Sequence, residues 1–451
     1  MKSSPLSHYG LVPCPRPRPL EFVLLDRDGL PVAVGLPTKR SRWGPCRAAP
    51  PRPLPEELLY LILSRLPVKD LLRYRSVCRS WLALISDPSF VAAHMERSKQ
   101  DARILLRPLS GSKHRRLPPQ RKVGLFACDA GADDKGRVQD ARLLFETEED
   151  YRGLRLTMST HHCDGLILFA GASRNFVCNP SLGEFVALPD GTRNVLPDHF
   201  DGSTAALGFD PFTREYKVAR CFYRSYSFQD RECSLGCEIL TLGGGPGSFS
   251  WRTTAVDPPY PVLQSAQLVE GTVYWRVYND LHSSSPQAIL SLQLRHGEFA
   301  TVPPPPCFAD DPLLIQGADL RVVGSRLCLP YLQFREDLLD IWVLEDPANH
   351  VWTKDYSIRL PRLNLEFNFI DLYRGKILLM SQDEVLAHDP EGNAHNSVID
   401  SYDKPIFHHP FWGRFLRFGA DCCLQVNVYA ESLVSVRGQT GRLHVGESVM
   451  L

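Results

Sequence analysis

Four glycines in this 451-residue chain each open a short apolar run that reads as a β-strand. Gly165 precedes Leu166-Ile167-Leu168-Phe169, Gly271 precedes Thr272-Val273-Tyr274-Trp275, Gly324 precedes Ser325-Arg326-Leu327-Cys328, and Gly375 precedes Lys376-Ile377-Leu378-Leu379. The intervals between them are 106, 53 and 51 residues (271 − 165, 324 − 271 and 375 − 324). Because the first interval is twice the second, one unit in the gap has lost its marker, and the stretch around Gly208-Phe209-Asp210-Pro211 is the place for it. Two units also carry an Asx-Pro turn fourteen residues after the glycine, at Asn179-Pro180 and Asp389-Pro390; Asp210-Pro211 and Asp346-Pro347 are further turns of this kind. The repeat unit is therefore near fifty residues, bounded by the Gly, Pro, Asn and Asp that punctuate antiparallel strands.

Fifty residues hold four strands of ordinary length with their turns, the size of one blade of a kelch-type propeller. The length available predicts about five or six blades over residues 156–437. Closing them into a ring covers the apolar faces that an open array leaves bare. A two-sheet sandwich is the competing architecture for so degenerate a repeat.

The amino-terminal part reads differently. Residues 1–51 are rich in Pro and Arg, as in Pro13-Cys14-Pro15-Arg16-Pro17, and locked φ angles with missing N–H donors predict a disordered tail. Its Lys39-Arg40-Ser41-Arg42 has the composition of a nuclear address or of plain solvated surface. Residues 52–98 are dense in Leu and follow a helical period. Pro55 and then Pro67 suit first helical turns, with Glu56, Glu57 and Asp70 at the positive ends of the helix dipoles; a third helix carries Trp81 and stops at Asp87-Pro88. The expectation is a short three-helix module, a charged transition over 99–155 read as solvated loop, the β domain, and a tail over 438–451, so that the fold class is α+β multidomain.

Leu58, Leu59, Leu61, Ile62 and Leu63 spread around much of the first helix, more than one packed face requires. A unit of about forty residues has too little of its own to cover them. Either a second protein covers the surplus, or the helices pack on the β domain of the same chain.

The anchors Leu54-Pro55-Glu56-Glu57-Leu58, Ile62-Leu63-Ser64-Arg65-Leu66-Pro67, Leu71, Arg75-Ser76-Val77-Cys78-Arg79-Ser80-Trp81 and Pro88-Ser89-Phe90 closely resemble the F-box motif. Further along, Cys163-Asp164-Gly165-Leu166, Phe176-Val177-Cys178-Asn179-Pro180, Leu207-Gly208-Phe209-Asp210-Pro211, Glu215-Tyr216-Lys217-Val218, Ser250-Trp251-Arg252 and Trp352-Thr353-Lys354 resemble the F-box-associated domain of the large plant F-box group. The resemblance implies a substrate receptor of a Skp-cullin-F-box ubiquitin ligase: the F-box docks a Skp-type adaptor and through it a cullin scaffold, while the β domain holds an unnamed target protein. Carried over by position, Leu54, Pro55, Leu58, Ile62, Leu66, Pro67, Leu71, Val77, Cys78 and Trp81 are the residues of the adaptor contact and of the packing behind it. The alternatives are an adaptor-binding scaffold acting outside ubiquitination, and a propeller enzyme or ligand-binding protein with an accessory helical module.

Other signals point to little chemistry. Lys plus Arg and Asp plus Glu both total 51, so the whole chain offers no cationic field for nucleic acid. Thirteen cysteines without a CxxC pair suggest reduced thiols in the cytoplasm or nucleus, and no apolar run is long enough for a membrane span. His161-His162-Cys163 and His408-His409 are poor chelators because adjacent strand residues point to opposite faces, and neither a metal nor a cofactor is expected. The Gly243-Gly244-Gly245-Pro246-Gly247 run lacks the Lys-Ser or Lys-Thr of a phosphate loop and reads as a hairpin. Pro303-Pro304-Pro305-Pro306 has the composition of a polyproline ligand, but its place between strand-like segments suggests a rigid connection between blades. No HExxH, GxSxG or kinase signature occurs, and no catalytic residue is expected.

Overall fold

The computed structural model describes residues 54–438, apart from 110–122, 129–137, 139, 148–155, 159–162, 172–173, 196–203, 228, 231, 244–248, 279–284, 309–318, 334–335, 361–367, 381–383, 393, 400–405, 410–412 and 415–422. The tail at 1–51, its Lys39–Arg42 cluster, His161-His162, Cys422, most of the glycine run at 243–247 and the carboxy-terminal residues from 439 lie outside the described residues.

The helices come first: α1 (Glu56–Leu63), α2 (Val68–Tyr74), α3 (Arg79–Ile85) and α4 (Pro88–Gln100). Pro55 and Pro67 stand at the N-cap positions of the first two, one residue before the first turns in which they were expected. The count is four rather than three. Asp87-Pro88 ends α3, but the Asp87 carboxylate also accepts the Ser89 and Phe90 N–H groups and so caps a new helix with proline in its first turn. Two residues later the chain enters β1 (Arg103–Leu109), followed by β2 (Gly124–Cys128) and β3 (Asp140–Glu146). Three strands thus lie in the stretch expected to be charged loop. Their charges hide them: Arg107 on β1 is buried, donating to Gln425 Oε1 at 2.9 Å with its guanidinium over the Phe169 ring.

Five four-stranded blades follow. The first contains β4 (Leu156–Met158), β5 (Ile167–Gly171), β6 (Phe176–Asn179) and β7 (Glu184–Ala187); the second, β8 (Ala205–Asp210), β9 (Glu215–Ser227), β10 (Glu232–Thr241) and β11 (Arg252–Thr253). The third contains β12 (Val262–Val269), β13 (Thr272–Val277), β14 (Ile289–Gln293) and β15 (Glu298–Val302); the fourth, β16 (Arg321–Val323), β17 (Arg326–Gln333), β18 (Leu338–Asp346) and β19 (Val351–Arg359). The fifth is β20 (Asn368–Tyr373), β21 (Lys376–Met380), β22 (Val385–Asp389) and β23 (Ala394–Ile399). A sixth sheet closes the ring. In it β24 (Ile406–His409), β25 (Gly413–Arg414) and β26 (Cys423–Tyr429) join β1–β3 in the order β25-β24-β3-β2-β1-β26, so strands from both ends of the described chain share one blade. β26 and β1 pair antiparallel from Arg103↔Tyr429 to Leu109↔Cys423.

The glycine markers are the turns between the first and second strands of a blade. Glu270-Gly271 and Arg374-Gly375 are two-residue loops with positive φ at both positions (47° and 77°, 50° and 76°), the geometry of a type I′ hairpin. In the second blade the same corner is Pro211–Arg214, and Arg214 (φ 57°) takes the left-handed conformation that glycine takes elsewhere. The missing marker lies where the spacing put it.

Alternating side chains explain how the ring is held. On β5, Leu168 and Ala170 join the apolar cluster shared with the second blade, while Ile167 and Phe169 join the one shared with the closing blade. Each inner strand is covered on both faces by neighbours, an arrangement of six blades that a two-sheet sandwich does not produce. The proline run leaves β15 and ends in a 3-10 turn at Pro306–Phe308 that buries Phe308, with the Pro303 carbonyl accepting Trp352 Nε1–H at 2.9 Å. It connects blades.

Candidate protein-docking surface

The helices have two apolar faces with different fates. Inward, Leu63, Val68, Leu71, Ile85, Phe90 and Val91 are buried in one cluster with Leu433, against which Leu182 and Val434 also pack. Those last three belong to the β domain. The Val68 N–H, at the start of α2, donates to Glu431 Oε2 at 3.0 Å, and the other oxygen of that carboxylate accepts from Arg103 at 3.3 Å. Lys99 on α4 reaches Asp164 at 3.1 Å, and His94 Nε2 lies 2.9 Å from the Leu66 carbonyl. The segment after β26 is itself clamped to the first blade, because the Asn179 amide donates to the Ser432 and Val434 carbonyls at 3.1 and 2.7 Å. The helices are therefore seated on the propeller.

Outward, the surplus remains. Leu54, Leu58, Leu61, Ile62, Val77 and Leu82 expose 59, 48, 46, 49, 57 and 41% of their surface, about half of each residue. Leu58, Leu61 and Ile62 follow i, i+3, i+4 spacing and share one side of α1; Leu59, Tyr60 and Leu63 occupy the other. Val77 stands in the turn before α3, and Leu82 on α3 itself. Single exposed leucines are ordinary on protein surfaces, but a concentration in three consecutive short elements is not.

The sequence candidates divide accordingly. Leu54, Pro55, Leu58, Ile62, Pro67, Val77 and Cys78 are exposed, whereas Leu71 is fully buried and Leu66 and Trp81 are half-buried packing groups. Trp81 meets Tyr74 edge-on at 5.6 Å between ring centroids. Cys78 begins α3 with its thiol 3.1 Å from the Ser80 hydroxyl, and hydrogen bonding from Ser80 holds that thiol below its ordinary pKa. Leu61, named only within the apolar surplus of the first helix, and Leu82, not among the sequence candidates, stand exposed beside them; helical spacing from Leu58 was the signal for the first.

A family model for an F-box-like domain matches residues 53–93, and one for the F-box associated beta propeller domain matches residues 133–383, more than half of the chain. The chain belongs to the F-box associated β-propeller family. Its relatives include an Arabidopsis thaliana F-box/LRR-repeat protein, 27% identical over 315 residues that cover 67% of each chain. Two F-box proteins of the same plant are 24 and 26% identical, covering 67 and 68% of this chain and 74 and 71% of theirs. Among solved structures, a chain of a nidogen/laminin complex aligns with a TM-score of 0.38 at 10% identity, covering 73% of this chain and 99% of that one. An oligogalacturonate lyase from Vibrio parahaemolyticus aligns at 0.37 and 8%, covering 72 and 96%. At those TM-scores nothing is inferred from either.

In this F-box protein the exposed leucines thus lie within the F-box itself, while α4 extends beyond the matched residues and leads directly into β1. No helix among the described residues is long and apolar enough to cross a membrane, and among those residues no group of three or more His, Cys, Asp or Glu side chains is placed to hold a metal. Buried thiols such as Cys178 and Cys221 have their pKa pushed well up by desolvation, so they stay protonated and are poor nucleophiles.

Proposed function

We propose that this protein is the substrate-recognition subunit of a Skp-cullin-F-box ubiquitin ligase, with no bond chemistry of its own. The observation that carries the reading is the outward apolar face of α1 and α3. Leu58, Ile62 and Val77, joined by Leu54, Pro55, Pro67 and Cys78, meet a Skp-type adaptor, which bridges to a cullin. Leu66, Leu71 and Trp81 hold those elements in place from behind, and Leu61 and Leu82 complete the contact. Among the described residues nothing covers that face, because the β domain occupies the opposite side of the helices.

The mechanism is proximity. A target held by the ring shares one assembly with a ubiquitin-charged carrier enzyme, and the effective concentration of its lysines rises without any new catalytic group. The helices occupy the end of the ring that carries the hairpins between first and second strands, including Asp164. The target is held at the other end, and the compartment is the cytoplasm or nucleus. The protein needs neither nucleic acid nor a membrane for this.

The test is a double substitution, Leu58→Asp with Ile62→Asp, in the full chain. Burial of two such side chains is worth about 1.5–3 kcal/mol each, so adaptor capture in a pull-down should fall at least about a hundredfold while the thermal transition of the β domain stays in place. Undiminished adaptor capture by the double variant would sink the reading.

A further inference from the structure

At the end of the ring nearest the helices, α4 and the blades border an open cavity of about 1280 Å³. Val91 and Met95 of α4 form one wall, and Val322 and Val428 from the inner strands β16 and β26 lie among the others. Its wall also carries charged side chains, the carboxylates of Glu96, Asp164, Glu215 and Glu270 and the cations Lys99, Arg214 and Arg374 among them, and a concave site that combines apolar surface with convergent polar groups is a candidate for a small molecule.

One polar group stands out. The register of β20 against β21 shifts between Phe369 and Asp371, and this bulge is the kind of local device that re-aims a side chain. Asp371 lines the cavity, is 9% exposed, and accepts a hydrogen bond from the Leu372 N–H at 2.7 Å. It forms no ion pair with any described residue. Of the cations in the cavity wall, Lys99 pairs with Glu96 and Asp164 and Arg374 lies over the Tyr373 ring, while Arg321, on the inner strand β16, bonds to Asp319 and the Phe369 carbonyl. The Cys328 thiol on the fourth blade is the buried titratable neighbour, and Arg214 the remaining cation of the cavity wall. Burial without a counter-ion pushes the Asp371 carboxyl up to about 7, and a buried carboxylate in that position is costly unless a cation meets it.

We propose that the cavity between α4 and the propeller binds a small-molecule amine, its ammonium group on the Asp371 carboxylate and its apolar body against Val91, Met95 and Val322. The ligand supplies the missing counter-ion. Because it touches both α4 and the blades, it also strengthens the seating of the F-box on the ring. The site is independent of the adaptor surface.

The experiment uses the full chain and two fluorescent probes that share one apolar body: monodansylcadaverine, which carries a primary ammonium, and its N-acetyl derivative, which does not. At pH 8 the amine should bind about tenfold more tightly than the acetyl compound, the usual gain from a charge-assisted hydrogen bond. Asp371→Asn should erase that preference, and Met95→Trp, which adds bulk to the α4 wall of the cavity, should weaken binding of both probes. Adaptor capture and the thermal transition report that each variant is folded. Equal binding of the two probes by the unaltered chain, or a preference for the amine that survives in Asp371→Asn, overturns the proposal.

Discussion

The helices and the propeller solve the same problem at different scales. Of the eleven large apolar side chains that stand exposed among the described residues, seven (Leu54, Leu58, Leu61, Ile62, Tyr74, Val77 and Leu82) lie in residues 54–82; the rest of the chain contributes Val195, Phe212, Val256 and Val351. A ring of blades covers each sheet with the next one and can bury nearly all its apolar strands. A set of short helices has too little volume to do this alone. Here it hides its inward face by packing on Leu182, Leu433 and Val434, and leaves the outward face bare. Surface that the β domain covers is structural, and the surface that the proposed function assigns to the adaptor is what the described residues leave exposed.

The sharpest way to break this comparison is to remove the segment both regions depend on. Truncation after Asp421 deletes β26, which closes the ring, together with Glu431 and Leu433, which seat the helices. The expected outcome is loss of any cooperative thermal transition and exposure of strand edges to aggregation. A truncated chain that still melts in one sharp transition within a few degrees of the intact protein would show that neither region needs the segment. A smaller effect comes from Leu71→Ala. Its side chain is fully buried, so the cost in urea denaturation should be about 3 kcal/mol, whereas Leu61→Ala on the outward face should stay within about 0.5 kcal/mol. Equal costs at the two positions would erase the distinction between the faces.

The joint itself is expected to respond more mildly. Glu431→Ala removes the acceptor of the Val68 N–H and the partner of Arg103 and should cost about 1–2 kcal/mol. Its signature is local: amide exchange in α2 should accelerate while exchange in the inner strands is unchanged. Uniform acceleration through the β domain would mean that Glu431 supports the ring and not the joint.

Much of this architecture was legible because turns are local. A two-residue hairpin needs φ > 0, glycine supplies it, and four such glycines revealed the repeat; Arg214, an uncommon residue for that conformation, concealed the fifth. The sixth blade had no marker for a different reason. Its inner pair, β26 and β1, comes from opposite ends of the described chain, so no hairpin joins them and no turn residue is required. The same distance limited the reading of the docking face. Helical spacing put Leu58 and Leu71 on equal terms, and what separates them is membership of a cluster that includes Leu433, 362 residues beyond Leu71 (433 − 71), which no local pattern encodes. Helix α4 was missed although its signal was present: an Asp-Pro pair can end one helix and begin another, and only the Asp87 side chain's bonds to Ser89 and Phe90 distinguish the cases.

The smallest expected effect lies where the two regions share a wall. Asp371 has a pKa raised by burial to about 7, above that of a carboxyl in the unfolded chain. The folded protein therefore holds this proton more tightly than the unfolded chain does, and the contribution of Asp371 to stability is fully present below about pH 4 and is lost as pH rises through about 7. Asp371→Asn removes this decline. At pH 8 the variant should be more stable by about 1 kcal/mol, less than the whole linkage because the amide that replaces the carboxylate is still a buried polar group. At pH 4, where both side chains are neutral, the two proteins should unfold at nearly the same urea concentration. A variant no more stable than the unaltered chain at pH 8 would mean that Asp371 already has a cation or ordered water to offset its charge, and the wall between helices and ring would then be a satisfied polar contact with no need of a ligand.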